Sequence, residues 1–215
     1  MTIKEIIQYT IIAAEALSAF ASLWYFKSLK NTYWKYFVWY CILIFANELF
    51  SLLVLDHFKE YRRYFFDVYA IPVQFLFLFW LYAQKSLQMP RFYILSTFIY
   101  IISFVPHFFY AERYSLINSM SYSIGCALLL VMSFFEFIQQ IKSDQIIYFY
   151  YNKMFYINLG VILFYVGTMP FFAFMKQLYD YNHDWYFSYQ AVALITTVIL
   201  YLSFTASFIW GKPKS

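Results

Sequence analysis

Residues 155–172 read FYINLGVILFYVGTMPFF, an uncharged run in which two glycines and one proline stand among large apolar side chains. A helix needs ~20 consecutive apolar residues to cross the hydrocarbon core of a bilayer. The run reaches that length when it is extended to residue 175. It therefore predicts a membrane-spanning helix at 155–175.

Six further apolar runs of similar length fill most of the remaining chain, and short connections join them. The chain is therefore predicted to be an all-α polytopic membrane protein, a seven-helix transmembrane bundle that forms one domain over residues 1–215. Boundaries carry an error of about 2–4 residues. The predicted spans are 6–26, 33–55, 65–84, 92–110, 115–138, 155–175 and 187–209.

Composition supports this fold class. Apolar residues make up 64% of the chain and charged residues 12%, whereas an ordinary globular domain has about 25% charged residues. A soluble domain of this size could not bury so much apolar surface, so the lipid bilayer is the expected partner. Cys41 and Cys126 each lie inside an apolar run, where we expect buried, reduced thiols and no disulfide framework.

The net charge of +4 indicates orientation rather than nucleic-acid binding, because the Lys and Arg residues lie at span ends. Cytoplasmic segments carry an excess of these residues. With the N-terminus outside, nine fall on the inner side and six on the outer side. The chain is therefore predicted to lie in a bacterial inner membrane with a cytoplasmic C-terminus. The aromatic segment 146–153 is expected to lengthen span six or to lie along the inner interface.

Acidic side chains inside the predicted spans are the most informative residues for function. A charge near the bilayer centre costs at least ~2.5–3.5 kcal/mol, which something local must offset. No Lys or Arg lies in the middle of a span, so protonation, hydrogen bonding, or a cation, proton path or amine ligand in a wet cavity all remain open. A neutral structural role is the competing explanation, and Glu136 could also reach the inner interface. The candidate ligand- or proton-binding residues are Glu15, Asn47, Glu48, Asp67 and Gln74.

Helical spacing predicts which way these groups face, because separations of three, four and seven residues share one face. We expect the polar stripes to face the bundle interior, with Glu15 meeting Glu48 and with Asp67 and Gln74 continuing the path outward. Two carboxylates so close would not both ionise. The stripes are Gln8, Glu15, Ser18 and Ser22 on helix one, Cys41, Glu48 and Ser51 on helix two, Asp67, Gln74 and Gln84 on helix three, and Asn118, Ser121, Gly125 and Glu136 on helix five.

Motifs of known membrane enzymes and cofactor proteins are missing from the sequence. The last span has no lysine for a retinal Schiff base, no paired histidines mark a zinc hydrolase, and neither H-E-x-x-H nor G-x-S-x-G occurs. His57, His107 and His183 lie near span ends beside acidic residues but lack ligand spacing. We therefore expect no metal, no cofactor and no catalytic residue.

The run at 155–172 also resembles the penultimate span of a group of seven-helix membrane proteins from Bacteroidota bacteria, which typically reads F-W-I-x-x-G-x-L-x-F-Y-x-G-x-x-P. Tyr156 replaces the usual Trp, and in span three Gln74 stands where that group has Glu. No activity is assigned to the group, and its members often sit beside two-component signalling genes, which implies membrane sensing by association. The matching positions are Phe155, Ile157, Gly160, Phe164, Tyr165, Gly167 and Pro170.

Two features of this run predict packing. Gly160 and Gly167 are seven residues apart, so they share one face and would let another helix approach closely. Pro170 is expected to bend the outer end of the helix.

Three functions follow from these patterns. The leading one is a membrane-embedded sensor or accessory module that acts through a signalling protein partner, because soluble domains and catalytic motifs are lacking and the resemblance implies sensing. The first alternative is a small-solute or proton-coupled transporter that uses the intramembrane acids. The second is an intramembrane enzyme. The ligand, the partner and the oligomeric state do not follow from the sequence.

Overall fold

The computed structural model describes residues 3–55, 58–106, 119–142, 146–181 and 183–212. These ranges are almost entirely helical and contain no β-strand. The predicted all-α class is therefore confirmed. His57, His107 and Asn118 lie outside the described residues, as do the side chains of residues 182–184, including His183.

Nine α-helices make up the described ranges, numbered here in chain order. They are α1 (Ile3–Trp24), α2 (Phe26–Leu29), α3 (Trp34–Phe50), α4 (Lys59–Phe65), α5 (Ile71–Phe79), α6 (Pro90–Ile102), α7 (Ser119–Lys142), α8 (Lys153–Tyr181) and α9 (His183–Ile209). A π-helical turn at Ser51–Leu55 extends α3, a second at Phe66–Ala70 joins α4 to α5, and a third at Trp80–Ser86 extends α5. A 3₁₀ helix, Ile146–Tyr151, precedes α8.

Five of these helical segments are long and apolar enough to cross a membrane. They lie within a few residues of predicted spans two, three, five, six and seven, and the count of seven spans stays a prediction. The segments are Trp34–Leu55, Phe66–Ser86, Ser119–Lys142, Lys153–Met175 and Trp185–Ile209.

The helices fall into two compact units. The first consists of Met1–His57, Phe137–Phe164 and Leu194–Ser215. Its core is aromatic: the Phe37 ring lies 5.2 Å from the ring of Phe204 and 5.3 Å from that of Phe208. All three side chains are fully or almost fully buried, so α3 and α9 are held together by ring contacts.

The second unit consists of Phe58–Glu136 and Tyr165–Ala193. Phe75 lies at its centre, with ring distances of 5.2 Å to Tyr100, 5.6 Å to Tyr122 and 5.3 Å to Tyr165. Gly125 makes room for this cluster, because a Cβ there would lie 2.9 Å from both the Phe75 and the Tyr100 ring. The Tyr122 and Thr168 hydroxyls are hydrogen-bonded at 2.8 Å, which satisfies two polar groups inside the unit.

The predicted polar stripe on α1 is confirmed for its buried part. Glu15, Ser18 and Ser22 are buried, whereas Phe20 is 66% and Trp24 84% exposed. A polar stripe turned inward and an apolar face turned outward are what lipid as a solvent requires.

One part of the predicted stripes is wrong and another is confirmed. Gln84 is exposed although Asp67 is buried. At ~3.6 residues per turn, their sequence separation places the two side chains ~100° apart around a helix, and the π-helical turns rotate the faces further.

On predicted helix five, which is α7, the inward stripe is confirmed for Ser121, Gly125 and Glu136, which are buried. Glu136 is only 1% exposed, so the alternative that it reaches the interface is wrong. Tyr82 interacts electrostatically with it, which places Glu136 among polar groups inside the second unit.

The glycine and proline predictions for α8 have mixed outcomes. A Cβ on Gly160 would lie 2.7 Å from the Ser203 Cβ on α9, so the predicted close helix contact exists at this residue. Gly167 is half-buried and Pro170 exposed. The helix departs from helical geometry at Phe174, with φ −118° and ψ 17°, four residues beyond the proline.

The close contact at Gly160 predicts a strong size dependence. Gly160→Leu should destabilise the protein by about 1–3 kcal/mol, because the added side chain has no space against Ser203. Thermal unfolding of the detergent-solubilised protein measures the effect. Ala46→Leu on the exposed side of α3 is the control and should change little. Equal stability of both variants would show that α8 does not meet α9 at this point.

Candidate functional site

Two predicted acids meet in the first unit. Glu15 lies on α1 and Glu48 on α3, and the two carboxyl groups are near enough to interact electrostatically. Glu15 is 4% exposed, whereas Glu48 is half-buried. The structure therefore brings together the pair on which the sequence analysis based its proton or ligand site.

Tyr201 of α9 completes this arrangement. Its hydroxyl donates a hydrogen bond to the Glu15 carboxyl group, and it also interacts electrostatically with Glu48 and Tyr40. Tyr40 and Tyr201 are both buried. We call Glu15, Tyr40, Glu48 and Tyr201 the acidic cluster. Sequence reasoning missed both tyrosines, because nothing distinguishes them among 24 Tyr residues.

Hydrogen bonds of Ser18 order the surfaces of α1 and α3 next to the acidic cluster. Ser18 lies one turn after Glu15 on α1 and is hydrogen-bonded to the Cys41 thiol of α3. The Ser18 hydroxyl also donates to the Glu15 carbonyl oxygen at 2.9 Å. Such small polar contacts allow two apolar helices to lie close together, here α1 and α3.

One oxygen of Glu15 has no hydrogen-bond partner among the described residues. This atom, Oε2, is buried. A buried carboxylate oxygen without a donor is costly, and a proton or a cation at this atom would remove that cost. The chemistry that the cluster offers is thus reversible binding of a small positive species between carboxyl and phenol oxygens.

The other candidate residues are placed as follows. Asn47 is half-buried next to Glu48 on α3. Asp67 is 8% exposed in the second unit, where it interacts electrostatically with Tyr100, and Gln74 is half-buried on α5. The outward path from Glu15 and Glu48 to Asp67 and Gln74 stays a prediction.

A second buried polar group, which the sequence analysis missed, lies in the second unit. Tyr82, at 0% exposure, lies near Ser133 and interacts electrostatically with Glu136. Ser133 and Glu136 are three residues apart on α7, the spacing of a shared helix face. The sequence signal was therefore present, but the partner Tyr82 lies within a run of apolar residues on another helix.

Lys153 is also more buried than its position at the start of α8 indicates. It is 2% exposed, and its Nζ donates to the Ser207 carbonyl oxygen at 2.9 Å. That carbonyl also accepts from the Gly211 backbone N–H at 3.2 Å, and it belongs to the last turn of α9, where the negative end of the helix dipole attracts cations. Gly211 permits this contact, because a Cβ there would lie 2.5 Å from both Lys153 Cγ and the Ser207 oxygen.

No group of three His, Cys, Asp or Glu side chains in the described part of the chain could hold a metal ion. Comparison of the sequence with protein-family models, and of the chain with curated proteins and solved structures, finds no match. The resemblance to the Bacteroidota seven-helix group therefore stays a prediction.

Both cysteines are free and buried, which confirms that part of the sequence prediction and provides a probe of water near the acidic cluster. In a Cys126→Ser variant, Cys41 should resist a membrane-impermeant maleimide in intact membranes and react fully after unfolding. Its thiol is 2% exposed and hydrogen-bonded to Ser18. Mass spectrometry of the labelled protein gives the extent of reaction. Rapid labelling would mean that water fills a path to the cluster.

Proposed function

We propose that the chain is a seven-span protein of a bacterial inner membrane and a membrane-embedded sensor or accessory module, in which the acidic cluster binds a proton that Glu15 and Glu48 share. The observation that carries the proposal is the buried Oε2 of Glu15, which has no hydrogen-bond partner among the described residues, in a carboxyl group that interacts electrostatically with that of Glu48. Signalling to a partner protein is the output we assign to it.

Helix lengths support seven spans. Five segments have spanning length and composition. The 22 residues of α1 extend over ~33 Å at ~1.5 Å per residue, which exceeds the ~30 Å hydrocarbon core. The 13-residue apolar helix α6 begins the fourth span, which the sequence predicts to continue to residue 110. The excess of Lys and Arg on the inner side supports an outside N-terminus and a cytoplasmic C-terminus.

A shared proton explains how two acids tolerate one another inside a membrane. Two adjacent carboxylates in a low dielectric repel each other strongly unless one is protonated. A protonated carboxyl group can donate to the other, and the Tyr201 hydroxyl donates to Glu15. Gain or loss of the shared proton changes the hydrogen bonding among α1, α3 and α9, which provides a signal without a soluble domain.

Proton-coupled transport is the second candidate function, because the same oxygen of Glu15 could hold a transported proton or cation. The two functions differ in net movement of charge. A sensor binds and releases the proton from one side, whereas a transporter moves it across the bilayer. Proteoliposomes that contain a pH-sensitive dye distinguish them, and sustained flux that disappears in Glu15→Gln would replace the sensor proposal by the transporter.

Infrared difference spectroscopy of the reconstituted protein tests the shared proton. Lowering the pH should increase the carbonyl stretch of a protonated carboxyl group shielded from water. Glu15→Gln should abolish this band, and Tyr201→Phe should shift it because a hydrogen bond to the carboxyl is lost. Asp180→Asn, which removes an exposed acid, is the control and should leave the band in place. A band unaffected by Glu15→Gln and by Glu48→Gln would refute the proposal.

A topology measurement tests the orientation. Alkaline phosphatase is active only after export, so a fusion after residue 212 should be inactive, because the C-terminus is proposed to be cytoplasmic. A fusion at residue 182, between predicted spans six and seven, should be active. Activity of the first fusion with a silent second fusion would reverse the orientation.

A further inference from the structure

An aromatic groove lies at the end of two spanning helices in the first unit. Tyr150, Tyr151, Tyr156 and Trp210 line it, and its volume is about 450 Å³, within the ~300–1,000 Å³ of small-molecule sites. Tyr150 and Tyr151 lie just before the segment Lys153–Met175, and Trp210 directly follows the segment Trp185–Ile209. The groove is therefore at the level where spanning helices leave the hydrocarbon core for the headgroup region.

Hydrogen bonds and a ring contact between the lining segments hold this groove in shape. The Tyr156 hydroxyl donates to the Tyr150 carbonyl oxygen at 2.9 Å, and the Tyr156 ring lies 5.9 Å from that of Trp210. The Lys212 backbone N–H donates to the Tyr151 carbonyl oxygen at 2.7 Å. The 3₁₀ helix, the start of α8 and the turn after α9 are thus tied together, which distinguishes the groove from separate interfacial aromatics.

Charge and ring chemistry identify an occupant. The faces of Tyr and Trp rings carry negative potential and attract ammonium groups, and cages of such rings recognise quaternary ammonium ligands. The groove already shows this behaviour, because the Lys212 ammonium lies 4.3 Å from the centre of the Tyr151 ring. Tyr150 and Trp210 are 41% and 59% exposed, which leaves their rings accessible.

We propose that this groove binds the ammonium headgroup of a zwitterionic membrane phospholipid. The lipid ammonium lies against Tyr150, Tyr156 and Trp210. Lys212, held over Tyr151, pairs with the phosphate that adjoins the ammonium in such a lipid. The positive and negative groups of such a headgroup match the aromatic faces of the groove and the Lys212 ammonium beside them. This inference depends on the membrane-spanning helices and not on the acidic cluster.

Lipid retention tests the proposal. The full-length protein is reconstituted in vesicles of equal phosphatidylcholine and phosphatidylglycerol with the same acyl chains, then extracted in mild detergent, and its bound lipids are counted by native mass spectrometry. The native protein should retain phosphatidylcholine in excess over phosphatidylglycerol. Trp210→Leu and Tyr150→Leu should each reduce that excess about three-fold or more, since a cation–π contact is lost, whereas Trp210→Phe should preserve part of it.

Trp24→Leu is the matched control, because Trp24 is an 84% exposed Trp in the same unit but outside the groove. The Trp24→Leu variant should retain phosphatidylcholine and phosphatidylglycerol in the same ratio as the native protein. Equal retention of both lipids by the native protein would overturn the proposal. So would an unchanged ratio in Trp210→Leu and Tyr150→Leu, or an equal reduction in Trp24→Leu, which would indicate general interfacial anchoring.

Discussion

The absence of hydrogen-bond partners in lipid is the constraint on which the rest of this structure depends. Polar side chains on a spanning helix therefore turn toward the protein interior rather than toward lipid. On α1 this constraint buries Glu15, Ser18 and Ser22 and leaves Phe20 and Trp24 exposed. The burial of Glu15 then determines its surroundings, because a carboxyl group removed from water needs donors. Tyr201 supplies one such donor.

Large side chains do most of the packing, since the chain has only 4 glycines. Rings fill the cores of both units, around Phe37 in the first and Phe75 in the second. Glycines appear where a ring or a helix must come closest: Gly125 against Phe75 and Tyr100, Gly160 against Ser203, and Gly211 against Lys153. Tyrosine suits such a core, because its ring fills apolar space and its hydroxyl group can bond to a polar group that faces inward.

The sequence was sufficient to locate five apolar helices of spanning length and one face of α1, because run length and 3.6-residue periodicity are local properties. It was insufficient where geometry depends on tertiary structure. Gln84 was assigned to the wrong face because its spacing from Asp67 does not return to the same side of an α-helix, and because π-helical turns are not visible in the pattern. Tyr201 and Tyr82 are recognisable as partners of Glu15 and Glu136 only from the packing within each unit. Burial of Lys153 required knowing that the last turn of α9 lies beside the start of α8.

If Glu15 and Glu48 share a proton, as proposed, their contributions to stability depend on each other. A double-mutant cycle tests this dependence most directly, with the free energy of unfolding measured for the native protein, Glu15→Gln, Glu48→Gln and the double variant. Residues that share a bond show coupling of about 0.5–3 kcal/mol, whereas independent sites are additive within about 0.3–0.5 kcal/mol. A shared proton predicts a coupling of about 0.5–3 kcal/mol between Glu15→Gln and Glu48→Gln. In a second cycle, Glu15→Gln and Asp180→Asn should be additive. Additivity of Glu15→Gln with Glu48→Gln would contradict the shared proton.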